Sequence, residues 1–192
     1  VEPLVAFPLV PPMGWKNSPP AFCTATETVA DLTNKALQTD TLAKPHPLSQ
    51  CAAQFDEVGC ANMATMKHNS SDDISPDPSL PRPAPPTAEI DVYVDDFIGI
   101  AQGAPERLEN VRNHLLQHVD KVFRPNDEKD SIRAEPVSLK KLYKGDASWK
   151  TKHTILGWEV DTRAKTIALP PHRVARLRDI LHSIPQTLSL IH

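Results

Sequence analysis

The sequence has few glycines, few aromatic residues and few cysteines. Its 192 residues include 6 Gly and 3 Cys, and aromatic residues make up 5%. The cysteines contain no Cys-x-x-Cys pair and cannot all pair with one another, so neither a disulfide framework nor a zinc knuckle is indicated. No apolar run approaches the roughly 18 residues of a membrane span, and no secretory signal pattern opens the chain. These absences predict an intracellular protein, cytoplasmic or nuclear, that does not act in a membrane.

Proline and positive charge are concentrated in particular segments. The chain has 20 Pro, and the segment SPDPSLPRPAPPTAE ends a stretch without periodicity. We therefore expect residues 41–88 to be a Pro-rich insertion or linker that is partly disordered. Residues 138–178 hold ten Lys or Arg against three acids, a local net charge of +7, although the whole chain has −3. Such a stretch suits a phosphate backbone, with an ordinary solvated surface as the alternative.

Three amphipathic helices are predicted from apolar residues at three- and four-residue spacing. The first begins near Ser18, the second spans residues 105–123, the third begins at Pro171, and a short helix is predicted over residues 51–58. The apolar stripe of the first helix consists of Phe22, Ala25, Val29, Leu32 and Ala36. His114 and His118 are four residues apart on the second helix. Because no Glu or Cys accompanies them, we expect them to face solvent and not a metal.

Two stretches carry β patterns. IDVYVDDFIGIA, residues 90–101, alternates apolar residues on both sides of Asp95 and Asp96 and predicts a hairpin. TILGWEVDTRAKTIAL, residues 154–169, predicts two short strands joined by a turn near residues 161–164. The order helix, hairpin, helix, hairpin, helix predicts an α+β domain with helices packed on one face of an antiparallel sheet.

The adjacent carboxylates of Asp95 and Asp96 raise a chemical question. Two neighbouring negative charges between apolar strands cost stability unless water or a cation neutralises them. Carboxylate oxygens are hard ligands suited to Mg²⁺, which binds one or two protein carboxylates together with substrate phosphates. That is the setting of two-metal phosphoryl transfer. A solvated polar turn is the alternative interpretation.

Three motifs resemble those of one family. Tyr93-Val94-Asp95-Asp96 resembles the YxDD box of reverse transcriptases, whose aspartates lie on the turn of a palm-domain hairpin. PMGWKNSPPAFCTATETV, residues 12–29, is similar to the loop and helix that precede that box in retroelement polymerases, and ILGW, residues 155–158, resembles the later primer-grip hairpin. The resemblance implies a fragment of a right-hand polymerase, with a partial palm-type sheet over residues 1–170 and the truncated start of a thumb helix over residues 171–192.

The resemblance also implies cofactors, partners and residue roles. Asp95 and Asp96 would be catalytic and would hold two Mg²⁺ ions, with Mn²⁺ as a substitute. The residues implied to contact nucleotide or primer are Tyr93, Gly14, Trp15, Lys16, Gly157 and Trp158. Those implied to contact the nucleic-acid backbone are Arg173, Arg176 and Arg178. The candidates for a general acid are Lys129, Lys140, Lys141, Lys150 and Lys152. The expected partners are an RNA or DNA template with its primer, deoxynucleoside triphosphates, and the fingers and remainder of a parent polyprotein.

The sequence also departs from the family pattern. Family members carry another metal-binding Asp on a strand upstream of the Gly14 motif, together with fingers residues that hold the triphosphate, and this chain begins after both. The alternative function is therefore a catalytically inactive, truncated remnant that at most binds nucleic acid through its basic segment. A weaker alternative is an interaction module that uses PSLP, residues 78–81, as a PxxP ligand.

Overall fold

The computed structural model describes residues 18–39, 41–57, 87–125, 127, 129 and 135–184. The chain divides into two compact units, residues 1–149 and residues 150–192. The elements of the first unit are α1 (Ser18–Gln38), α2 (Pro47–Ala53), β1 (Ala88–Tyr93), β2 (Asp96–Ala101), α3 (Pro105–Phe123) and α4 (Leu139–Leu142). Those of the second unit are β3 (Lys152–Ile155), β4 (Trp158–Asp161), β5 (Thr166–Ala168) and α5 (Pro171–Ser183). The fold is of mixed α+β class, and its strands form two separate antiparallel sheets of two and three strands.

The predicted helices are present, with two differences in the shorter elements. Helix α2 begins at Pro47, four residues earlier than predicted, because His46 caps it by accepting the Leu48 N–H at Nδ1, 3.2 Å away. The region predicted to hold two strands contains three, β3 to β5. Leu156 and Gly157 make the additional turn between β3 and β4, with φ values of 49° and 82°.

The hairpin of β1 and β2 packs one face against helices. Ile90 lies opposite Gly99, and Tyr93 lies opposite Asp96 at the end of the ladder. Ile90 belongs to a buried cluster with Ala30 of α1 and Val111 of α3. Side chains alternate between the two faces along a strand, so Tyr93, three residues after Ile90, lies on the face away from this core. Asp96 lies on the same face as Tyr93, because directly opposed residues share a face.

Of the predicted apolar stripe of α1, only Val29 is buried. Phe22 and Leu32 are 42% and 38% exposed. The buried residues of α1 are Thr26, Val29, Ala30 and Thr33. Threonine can be buried here because its hydroxyl bonds a carbonyl one turn earlier on the same helix, as Thr33 Oγ1 does with Val29 O at 2.7 Å. The helix therefore buries small residues that allow close approach to the hairpin and α3.

The prediction that His114 and His118 face solvent is wrong, because each is only 6% exposed. Helix α3 is covered by α1 and by the segment that follows α1, so its polar side chains must find partners inside. His114 Nε2 lies 2.8 Å from the Thr41 carbonyl oxygen, and His118 Nδ1 lies 3.1 Å from Thr33 Oγ1. Burial lowers the pKa of His118 below its ordinary value.

The first part of the predicted insertion, residues 41–57, is held against α3. Asn110 Oδ1 accepts the Ala43 N–H at 2.8 Å, and Asn113 Oδ1 accepts the His46 N–H at 3.0 Å. These bonds satisfy backbone groups that lack a helix or strand partner. Residues 58–86 of the predicted insertion lie outside the described residues, and its last residue, Ala88, is the first residue of β1.

A buried ion pair joins α2, α3 and the end of the first unit. Arg112 is 4% exposed, and its Nη2 lies 2.8 and 2.6 Å from the two carboxylate oxygens of Asp56. The Trp149 N–H donates to Asp56 Oδ1 at 2.7 Å, and its indole N–H donates to the Leu108 carbonyl oxygen at 3.1 Å. Gly99 permits the indole to lie on β2, because a Cβ there would come within 3.2 Å of the ring. This network therefore ties the packing of α3 to the position of β2.

Candidate functional site

The two predicted aspartates lie at the tip of the first hairpin. Val94 and Asp95 form its two-residue loop, and Asp96 is the first residue of β2. Tyr93, the last residue of β1, is 59% exposed, and Val94 is 46% exposed. The structure thus brings Tyr93, Asp95 and Asp96 together at one exposed turn.

The backbone at Val94 is strained. Its φ is 59°, in the left-handed region, where a β-branched residue is rare. Two-residue hairpin loops that need a positive φ usually place Gly, Asn or Asp there. Holding a non-glycine residue in such a conformation costs on the order of 1–3 kcal/mol and requires support from the surrounding structure.

Helix α1 supplies that support at two points. Thr26 Oγ1 donates to the Val94 carbonyl oxygen at 2.8 Å. Two turns along α1, the side-chain amide of Asn34 accepts the Ile90 N–H and donates to the Ile90 carbonyl oxygen, each at 2.8 Å. The second contact covers the outer edge of β1. The hairpin is therefore hydrogen-bonded to α1 at its middle and at its tip.

Neither Thr26 nor Asn34 is among the site residues predicted from the sequence. A signal was available for Thr26, because it shares a helix face with Ala30, Thr33 and Leu37 at spacings of four, three and four residues. A face that mixes Thr with small apolar residues indicates close backbone approach as well as burial. No comparable pattern marks Asn34.

One of the five candidate lysines lies against the aspartate pair. Lys141 of α4 places its Nζ 3.3 Å from Asp96 Oδ1, with the two side chains 60% and 55% exposed. The hydrogen bond to Asp96, followed by the negative charge of that carboxylate, holds the pKa of Lys141 above its ordinary value. Lys152 pairs instead with Glu159, 2.7 Å away, which raises the pKa of Lys152 in the same way. Within the first unit, the structure thus pairs Lys141 with the aspartate turn.

Asp95 and Asp96 are the residues that could hold a metal ion. Their adjacent carboxylates supply hard oxygen ligands on an exposed turn, which fits Mg²⁺ or Mn²⁺ when water and phosphate oxygens complete the coordination. Within the described part of the chain, no group of three or more His, Cys, Asp or Glu side chains could hold a metal ion. As a metal site, the turn would therefore offer two carboxylates and would need further ligands from substrate or from elsewhere in the protein.

In the second unit, the predicted primer-grip residues lie at the turn between β3 and β4. Gly157 has a φ of 82°, and a Cβ at this position would overlap the guanidinium group of Arg173. Glycine is required here for the backbone conformation, and its lack of a Cβ also lets the flexible end of the Arg173 side chain lie against the turn. Trp158, at the start of β4, is 48% exposed. The structure thus brings together Gly157, Trp158 and Arg173 of the predicted set.

The three predicted arginines of α5 do not share one face. Arg173, Arg176 and Arg178 are all exposed. Arg173 and Arg176 are nearly one turn apart, whereas Arg178 lies about 140° around the helix axis from Arg173. The helix also exposes apolar residues, including Leu177 at 45% and Leu181 at 58%. Arg173 and Arg176 can therefore contact a common ligand, and Arg178 faces another direction.

The remaining predicted residues, Gly14, Trp15 and Lys16, lie outside the described residues. None of the helices in the described ranges has the length and apolar character needed to cross a membrane. Comparisons of the chain with protein-family models, with curated proteins and with solved structures find no match.

Proposed function

We propose that this chain is the palm core and thumb start of a retroelement RNA-directed DNA polymerase, with Asp95 and Asp96 at its catalytic centre. The observation that carries the proposal is the aspartate pair on a hairpin turn that is strained at Val94 and hydrogen-bonded to α1. Backbone strain maintained by surrounding contacts is typical of functional sites. An ordinary solvated turn gains nothing from a valine in this conformation.

The meeting of two motifs also supports the proposal. Thr26 belongs to the motif of residues 12–29, and the carbonyl group that its hydroxyl binds belongs to the YVDD motif. The two segments are 68 residues apart in sequence at this contact. Two motifs that resemble parts of one active site are therefore adjacent in the fold, as a shared function requires.

In the proposed reaction, a primer 3′-hydroxyl attacks the α-phosphate of a deoxynucleoside triphosphate, so that a phosphodiester bond forms, the bond between the α- and β-phosphates breaks and pyrophosphate leaves. Two Mg²⁺ ions, when bound, would activate that hydroxyl and neutralise the charge that develops on the phosphate. Asp95 and Asp96 would hold the ions, and the hydrogen bond from Thr26 would keep their turn in place. The exposed ring of Tyr93, directly opposite Asp96, would pack against the nucleotide or primer end. Arg173 and Arg176 would bind backbone phosphates.

Primer extension by the full-length protein tests this proposal. With an RNA template and a DNA primer, we expect Mg²⁺-dependent incorporation that Asp95→Asn abolishes. Asp31→Asn removes the same charge from an exposed position on α1 and should leave incorporation intact. Unchanged extension by Asp95→Asn would show that the catalytic assignment is wrong.

A second candidate function is nucleic-acid binding without catalysis, through the basic second unit. The exposed arginines of α5 favour it, because they are available to phosphates without any metal site. Under this function the full-length protein binds an RNA–DNA duplex but incorporates no nucleotide. Binding should weaken steeply with salt, and replacing Arg176 by Gln should reduce the slope of log K against log[salt] by about 1. Salt-insensitive binding would contradict it.

A further inference from the structure

Lys141 is brought to the aspartate pair by a short but anchored helix. Leu142 of α4 is 3% exposed, and the Ser138 side chain caps α4 by accepting the Lys141 N–H. The position of the Lys141 backbone is therefore set by packing, while its side chain remains 60% exposed. The ammonium group lies 3.3 Å from Asp96 Oδ1, within ion-pairing distance of an oxygen that would also serve a metal ion.

An ammonium group and a divalent cation cannot both lie beside one carboxylate oxygen without repelling each other. An exposed ion pair of this kind is weak, and a lysine side chain has a long, flexible stem. The pair can therefore be broken by a doubly charged ion without movement of α4.

We infer that Lys141 is a counter-ion that occupies Asp96 in the metal-free protein and competes with the divalent cation, so that it lowers the metal affinity of the YVDD turn. The inference rests on the proposed function only in taking Asp95 and Asp96 as metal ligands. In this role Lys141 does not contact substrate. Its ammonium group neutralises the charge of Asp96 in the metal-free protein and must leave Asp96 when the metal ion binds.

Mn²⁺ binding to the full chain tests the inference directly, by the electron paramagnetic resonance signal of the free ion at constant low ionic strength. Lys141→Met removes the ammonium group and retains an unbranched side chain suited to a helix. We expect it to bind Mn²⁺ about three- to fivefold more tightly than the unmodified chain, as loss of one exposed ion-pair competitor predicts. Lys144→Met is the matched control, because it removes the same charge nearby and Lys144 has no carboxylate partner among the residues that the structure describes. It should change the affinity by less than twofold.

The outcomes separate this inference from the proposed function. Tighter binding by Lys141→Met than by Lys144→Met, lost when Asp96→Asn is added, would support the counter-ion role, because the loss with Asp96→Asn assigns the gain in affinity to this turn. Equal binding by the two lysine variants, with Asp96→Asn still weakening it, would overturn the role of Lys141 and leave the metal site standing. Binding that Asp96→Asn does not change in any variant would overturn both the inference and the metal assignment. Metal competition without primer extension would retain the inference and reject the polymerase.

Discussion

Loss of the Asp56 carboxylate should destabilise the first unit strongly. In Asp56→Ala, the guanidinium group of Arg112 loses its contacts with the Asp56 carboxylate at 2.6 and 2.8 Å while remaining 4% exposed. Removing one partner of a buried pair typically costs 3–5 kcal/mol. The Asp56 side chain is itself 30% exposed, so we take the lower end, about 3 kcal/mol. That is a large fraction of the 5–15 kcal/mol by which typical domains are stable.

Equilibrium urea unfolding followed by circular dichroism measures this loss. Asp31→Ala is the matched control, since it removes an exposed carboxylate from a helix and should change the free energy of unfolding by less than about 0.5 kcal/mol. The double variant Asp56→Ala/Arg112→Met should recover part of the loss, because it removes the unpaired charge as well. A single Asp56→Ala variant as stable as the control would refute the argument that Arg112 depends on this carboxylate.

Three further predictions follow from other positions. Because the pKa of His118 lies below the ordinary 6.5, its contribution to stability is complete above about pH 6.5 and is lost as the pH falls below that value. The temperature of thermal unfolding should therefore be lower at pH 5.5 than at pH 7.5. This difference between the two pH values should be smaller in His118→Leu and unchanged in His172→Gln. Val94→Gly should raise the free energy of unfolding, measured in urea, by up to about 1 kcal/mol. Glycine removes the left-handed strain of about 1–2 kcal/mol, and this gain exceeds the entropy that glycine loses on folding. A decrease in the free energy of unfolding of more than about 1 kcal/mol would contradict the strain at Val94. Gly157→Ala should speed backbone hydrogen exchange at the β3–β4 turn. Adding Arg173→Ala should restore the protection of the turn only in part, because the positive φ at residue 157 persists. Full protection of the turn in Gly157→Ala alone would contradict the overlap between the added Cβ and the Arg173 guanidinium group.

Much of the secondary structure could be predicted because its causes are local. The bounds of α3 and the start of α5 follow from apolar spacing and from prolines that open a helix. The hairpin around the aspartates follows from the alternation on either side of them. What local pattern could not supply was the third strand of the second sheet, because the turn at Leu156 and Gly157 places a leucine in a conformation that glycine or asparagine usually adopts.

The burial of polar residues could not be predicted, because it depends on partners far away in sequence. The hydrogen bond between His118 and Thr33 joins residues 85 positions apart in sequence, and that between Asn113 and the His46 backbone joins residues 67 positions apart. From spacing alone, a histidine on a helix looks solvent-facing. It becomes a core residue only when another segment covers that face and supplies a hydrogen-bond partner.

The same division applies to the candidate site. Chain order and strand periodicity are enough to predict which residues form the turn and that Asp95 and Asp96 are adjacent there. The support of the turn by Thr26, and the pairing of Lys141 with Asp96 among five candidate lysines, could be found only in the folded protein. These choices depend on the packing of α1 and α4, and packing joins groups whose separation in sequence carries no information about their separation in space.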